Sequence, residues 1–351
     1  MRPYRRTPLL RILALPSSLY RFALLFVFAL LAVASWAWYE IARPLQIPGE
    51  AVEVRVAAGA GARSIARELR EAGVSINSWE FVLIASLTRS THSLRAGRYR
   101  IVAGTNMADL VEMFRRGDVQ REQLTVVEGT TFEDLRKLIA QCQELRHDTA
   151  QWSEEQILRS VGAVETRAEG LFAPDTYLFD PGSSDVELYR RAYEGQKDRL
   201  ERAWQTRAGD LPYHDSYQAL IMASIIEKET GRPEERGRVA AVFVNRQRLG
   251  MPLQTDPAVI YGLGSRYDGR LHKRDLQSDT AYNTYTRAGL PPTPIALPGR
   301  AAIEAALNPE PIKALYFVAR GDGSSEFSST LAEHNRAVDR FQRTGAHGEA
   351  H

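Results

Sequence analysis

Two glutamates, Glu227 and Glu229, close the run ALIMASIIEKETG at 219–231. Read as a helix, this run puts both carboxylates in its last turn, where the helix dipole is negative and opposes their ionisation. They follow the stretch ALIMASII, and desolvation beside such a stretch pushes a carboxyl pKa upward. Both effects favour an acid that is still protonated near neutral pH, the state needed to protonate a glycosidic oxygen. The pattern alone leaves a plainer alternative open, two glutamates reaching solvent from a frayed helix end. At 100° per residue the two positions stand about 200° apart, so a regular turn cannot aim both into one cleft. On the dipole argument, removing either carboxyl should leave stability unchanged or raise it by ~0.3–1 kcal/mol.

The elements that would position this turn are legible around it. Asp215 is a good N-cap with Gln218 three residues on, close to a capping box, and Gly231 followed by Pro233 ends the helix. The stretch 219–226 is apolar on every face, which marks a helix buried on all sides. A second helix is expected over about 234–249, with Val239, Val242 and Phe243 on one side. The chain is then rich in Gly, Pro, Asn and Tyr through Gly299, which reads as a long loop region of the kind that holds binding residues. Upstream, EGLFAPDTYLF at 169–179 reads as an aromatic loop segment, followed by a charged amphipathic helix over 187–206.

A short repeat occupies the first half. Gly59, Gly104 and Gly129 each follow a strand-like run; Ile65, Leu110 and Leu135 stand six residues on, and Leu69, Phe114 and Ile139 ten residues on. The unit is strand, glycine turn, amphipathic helix. Its residues fit ordinary packing of strands and helices as well as a small carbohydrate-binding module of the LysM type.

The run FALLFVFALLAVASWAWY at 22–39 has no charge and nearly matches a hydrocarbon core of ~30 Å. Trp36, Trp38 and Tyr39 cluster at its far end, where such rings favour the headgroup layer. Arg2, Arg5, Arg6, Arg11 and Arg21 precede it without an acid, so the positive-inside rule puts the N-terminus in the cytoplasm and the rest outside. A cleaved signal peptide is the alternative, against which stand the length of the run and the lack of a small-x-small site. From position 44 onward 39 basic residues face 42 acidic ones, a balance that argues against a nucleic-acid partner. The lone Cys142 can make neither an intramolecular disulfide nor a zinc cage, and reads as a small core residue. No GxSxG, Walker A, GxGxxG or HExxH run occurs, which removes the simplest cases for a serine hydrolase, an NTPase, a dinucleotide enzyme or a zinc protease. His347 and His351 lie four apart in a polar tail and are not read as metal ligands.

Four long runs carry a family likeness: ALIMASIIEKETG, VFVNRQRLGMPLQTDPAVIYGLG at 242–264, DTAYNTYTRAGLPPTPIALPG at 279–299, and YFVARGDGSSEFSSTLAEHN at 316–335. Together they resemble the YceG-like family of endolytic murein transglycosylases. The resemblance implies an α+β fold: a cytoplasmic tail at 1–21, a single transmembrane helix at 22–39, a linker at 40–50, a LysM-like α/β subdomain at 51–122, a mixed α/β catalytic domain at 123–345 and a tail at 346–351. It implies an inner-membrane protein with a periplasmic catalytic domain that acts on peptidoglycan glycan strands. It also implies a role in ending nascent strands and penicillin-binding synthases as partners.

Lytic transglycosylases resemble goose-type lysozyme around a helix-terminal Glu followed by Ser or Thr. Glu229 with Thr230 matches that dipeptide, whereas Glu227 is followed by Lys228. The catalytic role therefore falls on Glu229, with Glu227 as the alternate. The implied reaction needs one carboxyl, no cofactor, no metal and no water: the acid protonates the oxygen between N-acetylmuramic acid and N-acetylglucosamine, then accepts the C6 hydroxyl proton as a 1,6-anhydro ring closes. Asn245, Gln254, Thr255, Asp256, Tyr282, Asn283, Thr284 and Tyr285 fall in the matching runs and offer groups suited to N-acetyl sugars. Any one of them taken singly fits an internal cap, turn or core bond equally well. The rival readings are a membrane-tethered peptidoglycan-binding scaffold without activity and a muramidase that adds water.

Overall fold

The computed structural model describes residues 17–57, 59–87, 94 and 97–343; Arg2, Arg5, Arg6, Arg11, His347 and His351 lie outside them. The chain is mixed α+β, mostly helical, and divides into two compact units, Met1–Arg121 and Glu122–His351.

The first unit begins with α1 (Ser17–Ala42), which extends the expected span at both ends. Its part Leu24–Ala42 is long and apolar enough to cross a membrane, and none of it is buried against protein. Next come β1 (Ala51–Val56), α2 (Ala62–Glu71), α3 (Ser78–Leu87), β2 (Gly97–Val102) and α4 (Met107–Arg116). β1 and β2 pair antiparallel with Val54 opposite Tyr99. The alternation in AVEVRV explains β1: Val54 and Val56 point into the core while Glu53 and Arg55 point out. Phe114 of α4 sits edge-on to Tyr99 at 4.5 Å and to Phe81 of α3 at 6.0 Å, which closes this small core.

The second unit opens with β3 (Glu122–Thr125), followed by α5 (Phe132–Gln141), α6 (Glu154–Val161), β4 (Thr176–Phe179) and α7 (Asp185–Gln205). β3 pairs antiparallel with β4, Leu124 opposite Tyr177. The loop expected over 169–179 is thereby corrected: Tyr177 and Phe179 alternate into the core, and that alternation makes its last residues a strand. All three repeat glycines adopt left-handed backbones, with φ of 77°, 94° and 78° at Gly59, Gly104 and Gly129. The helix after each buries the expected pair: Ile65 and Leu69, Leu110 and Phe114, Leu135 and Ile139.

α8 (Ser216–Glu229) is the centre of this unit, with every residue from 219 to 226 buried. Asp215 caps it by accepting the Gln218 N–H at 2.8 Å, but the Gln218 side chain turns to the His214 N–H, so the capping box is not reciprocal. α7, α9 (Pro233–Arg248), α10 (Asp256–Leu263) and α12 (Arg300–Leu307) pack around it. The one polar group in its buried stretch, Ser224, donates to the Ile221 carbonyl and accepts the Ile295 N–H, so it is satisfied. The long loop expected after α9 is interrupted by α10 and by the short α11 (Lys273–Gln277). Pro257 sits in the first turn of α10, a position that favours proline. The hairpin of β5 (Tyr316–Ala319) and β6 (Ser325–Ser328), then α13 (Leu331–Val338), completes the unit.

Gly129 links the repeat to the end of α8: its N–H donates to the Leu297 carbonyl at 2.9 Å and its own carbonyl accepts from Lys228 Nζ at 3.3 Å. An alanine there would be held at φ of 78° with only ordinary contacts to Lys228 and Glu227. Gly129→Ala should therefore cost ~1–2 kcal/mol through backbone strain. Gly209→Ala, in open space and with ordinary backbone, should change stability by less than ~0.5 kcal/mol. Urea denaturation of both variants checks this; equal losses would remove the strain argument.

Candidate active site

α8 ends at Glu229, Thr230 leaves it in extended conformation, and Pro233 starts α9, so the chain reverses tightly beside the two glutamates. The turn splits them. Glu227 has its side chain only 6% exposed; its Oε2 accepts the Gly299 N–H at 2.8 Å and its Oε1 lies 3.5 Å from Arg236 Nη2 of α9. Burial raises its pKa and the Glu128 charge adds to this, while the Gly299 N–H and the Arg236 charge draw it part of the way back. It is a clamp that joins α8, α9 and the N-terminus of α12.

Glu229 is half-buried and borders a cleft of about 330 Å³. Burial pushes its carboxyl up to about 7, and the negative charge of Asp256 adds to the shift. The Thr255 hydroxyl, sealed from solvent, stands near enough to lower the pKa slightly without reaching full hydrogen-bond geometry. The carboxyl is thus poised to hold a proton near neutral pH and to lose it readily.

The walls of the cleft are cross-tied. Asp256 opens α10, and its Oδ1 accepts the Tyr285 hydroxyl at 2.6 Å. Gln254 has a left-handed backbone, φ 55°; its N–H donates to the Thr284 carbonyl, and the next N–H, of Thr255, to Thr284 Oγ1. Asn283 donates to the carbonyls of Asp275, Leu276 and Ser278 and accepts the Tyr285 N–H, which fixes the loop that carries Tyr285. Arg246 of α9 is nearly buried: Nε donates to the Leu315 carbonyl and Nη1 to the Leu253 carbonyl, each at 2.8 Å, and Nη1 also reaches Gln254 Oε1. Its guanidinium lies over the Tyr316 ring, which in turn stacks on His334 at 5.1 Å. Burial lowers the pKa of His334, and the Arg246 charge lowers it further.

Among the residues singled out from sequence, Glu229, Gln254, Asp256 and Tyr285 line this cleft. Thr255 lies sealed beneath it, and Asn283 and Thr284 are buried with their side chains committed to the loop bonds. Asn245 donates to the Ile312 and Ala314 carbonyls, and Tyr282 bonds Thr293 and meets the Tyr261 ring edge-on. Neither lines the cleft. Sequence reading missed Arg246, Tyr316 and His334, although all three stand inside the quoted runs. It also missed Glu169, whose carboxyl burial pushes up to about 7, and which accepts the Phe132 N–H and the Tyr261 hydroxyl outside the cleft.

The sequence profile of the YceG-like family matches residues 54–340. The chain belongs to the YceG-like family. An endolytic murein transglycosylase of Bacillus subtilis is 28% identical over 316 residues, covering 83% of this chain and 84% of the relative. One of Streptococcus pneumoniae is 26% identical over 349 residues and 88% of this chain, which spans only 63% of that relative. The solved structure of a YceG-like protein from Listeria monocytogenes is 28% identical with a TM-score of 0.51, covering 82% of this chain and 99% of that one.

For Glu227 the dipole-based expectation meets an opposing interaction, its ion pair with Arg236. This pair is largely out of water, but burial and the neighbouring Glu128 charge raise the pKa of Glu227 above the ordinary value, so the folded state favours the neutral carboxyl and Glu227→Gln should lose less than the ~3–5 kcal/mol typical of a broken buried pair. Thermal and urea unfolding of Glu227→Gln and Glu229→Gln check this: neither should lose as much as ~3 kcal/mol, and a loss of ~3–5 kcal/mol in Glu227→Gln alone would show that the Arg236 pair outweighs the burial. Stability should also respond to pH through Glu229. Its raised pKa means that the folded state holds a proton the unfolded chain releases, so this contribution is full below pH 4.5 and lost as pH rises to about 7. Relative to Glu229→Gln, the wild type should therefore lose up to ~1.4 kcal/mol per pH unit across that window. Parallel stability curves for the two proteins would show that the carboxyl is not perturbed.

Proposed function

We propose that this protein is a peptidoglycan lytic transglycosylase that cleaves the bond between N-acetylmuramic acid and N-acetylglucosamine within glycan strands and leaves 1,6-anhydro ends. The observation that carries this reading is the separation of the two glutamates. One is clamped by Gly299 and Arg236; the other faces a cleft with its carboxyl near pKa 7. The names of the Bacillus and Streptococcus relatives support the same substrate class.

In this reading Glu229 gives its proton to the glycosidic oxygen as positive charge builds on the sugar ring. The resulting carboxylate then takes the proton of the muramic C6 hydroxyl, whose oxygen closes onto the anomeric carbon, so the acid is regenerated and no water is consumed. The Asp256 charge favours the protonated starting state of Glu229. Gln254, Tyr285, Arg246 and Tyr316 offer an amide, a hydroxyl, a cation and an aromatic face to the sugars. α1 is the single inner-membrane span, N-terminus cytoplasmic, and the chain that follows it is periplasmic. Residues 51–122 form the LysM-like subdomain, and residues 123–345 form the catalytic domain. The product chemistry suits a role in ending nascent strands, beside the penicillin-binding synthases that make them.

Purified sacculi test the reading. The full chain should release muropeptides with 1,6-anhydro ends, and Glu229→Gln should be slower by at least the ~10²–10⁴ typical of a lost general acid and base. Reducing-end products would make the protein a muramidase, and no product from the folded wild type would make it a binding scaffold. Wild-type rates in Glu229→Gln would remove that residue from the chemistry.

A further inference from the structure

Helix α3, SWEFVLIASL, is too apolar for a single core face to use up. Phe81, Ile84 and Ala85 face the core, while Trp79, Leu83 and Leu87 stand outward at 58%, 47% and 75% exposure. Their spacing of four aligns them in one stripe along the helix. Isolated exposed apolar residues are ordinary on proteins, but an aligned row that continues a larger apolar surface marks a contact.

That larger surface is α1. Trp79 and Leu83 line one groove with Trp36 and Ile41 near the C-terminal end of α1, and Glu40 and Glu80 share it. Glu40 pairs with Arg43 at 2.7 Å, which puts the first fixed charges of this region where α1 ends. Trp36, Trp38 and Tyr39 are all exposed on the same end of α1. Indole and phenol rings beside the first charges are the composition of a membrane interface. α3 itself carries one charge, Glu80, so its affinity for a bilayer would come from apolar burial and not from basic residues.

We propose that α3 is a second membrane-contacting element, with Trp79, Leu83 and Leu87 seated in the outer interfacial layer of the bilayer that α1 crosses. The proposal rests on the reading of α1 as a membrane span. The first unit then lies against the lipid surface instead of hanging from a free tether, and its distance from the membrane is fixed by two contacts.

The test uses the full chain with Cys142→Ser, which removes its single cysteine. Single cysteines are introduced at Leu83, Leu87, Val27 of α1 and Arg67 on the outward face of α2, all exposed positions where a label does not disturb a core. Each variant is labelled with an environment-sensitive fluorophore and reconstituted in phosphatidylcholine vesicles carrying a quencher either near the headgroup or deep in the acyl chains. Labels at 83 and 87 should emit at shorter wavelength than the label at 67 and be quenched more by the shallow quencher than by the deep one, without dependence on salt. The label at 27 should be quenched from the acyl chains. Water-like emission at 83 and 87 with a quenched label at 27 overturns the proposal while α1 still spans, and leaves the stripe to a protein partner. Water-like emission at 27 as well overturns the anchor reading and the proposal with it.

Discussion

A helix apolar on every face has no stable place on a protein surface, and the second unit is built around that constraint. α7, α9, α10 and α12 must surround α8 to bury residues 219–226, and the one hydroxyl in that stretch has to be bonded inside. Because the helix ends where its wrapping ends, the two carboxylates that follow emerge into the boundary between core and cleft. Their different fates come from the 200° between them. One turns toward α9 and the start of α12 and becomes a buried counter-ion; the other turns toward Asp256 and the cleft.

Electrostatics at this boundary is a competition of named neighbours. Burial raises both glutamates and a neighbouring carboxylate adds to each shift, Glu128 at Glu227 and Asp256 at Glu229, but Glu227 has a backbone N–H and a guanidinium to offset it. An acid placed beside Asp256 and away from any counter-ion keeps its proton to higher pH, which suits an acid that must also act as the base in the next step. The same burial makes Glu169 a second raised carboxyl, but both its oxygens hold α5 and α10 together and none of the cleft passes it.

Much of this was legible in the sequence, for physical reasons. The apolar run and its caps announce α8, and the dipole and desolvation arguments need only the identity of the last turn. The repeat glycines were legible because a left-handed turn between strand and helix favours that residue. The role of Glu227 was not, since Gly299, its backbone partner, is 72 residues away and only the packed fold brings it close. Arg246 was hidden for a related reason. An arginine on a helix reads as solvated, and its burial depends on carbonyls supplied by Leu253 and Leu315 from two other segments. Asn245, Asn283 and Thr284 fall in the same motifs as the cleft residues, yet they hold the loops, because a cleft made of irregular backbone needs side chains to satisfy its carbonyls and amides.

The central claim is that the cleft glutamate is a proton carrier poised near neutrality. Carbon-13 labelling of the glutamate carboxyls, with Glu229→Gln spectra subtracted to assign the signal, lets its titration be followed by NMR in the substrate-free protein. The account predicts a midpoint of about 7, displaced downward in Asp256→Asn. A midpoint near the ordinary 4.5, unmoved by Asp256→Asn, would contradict it.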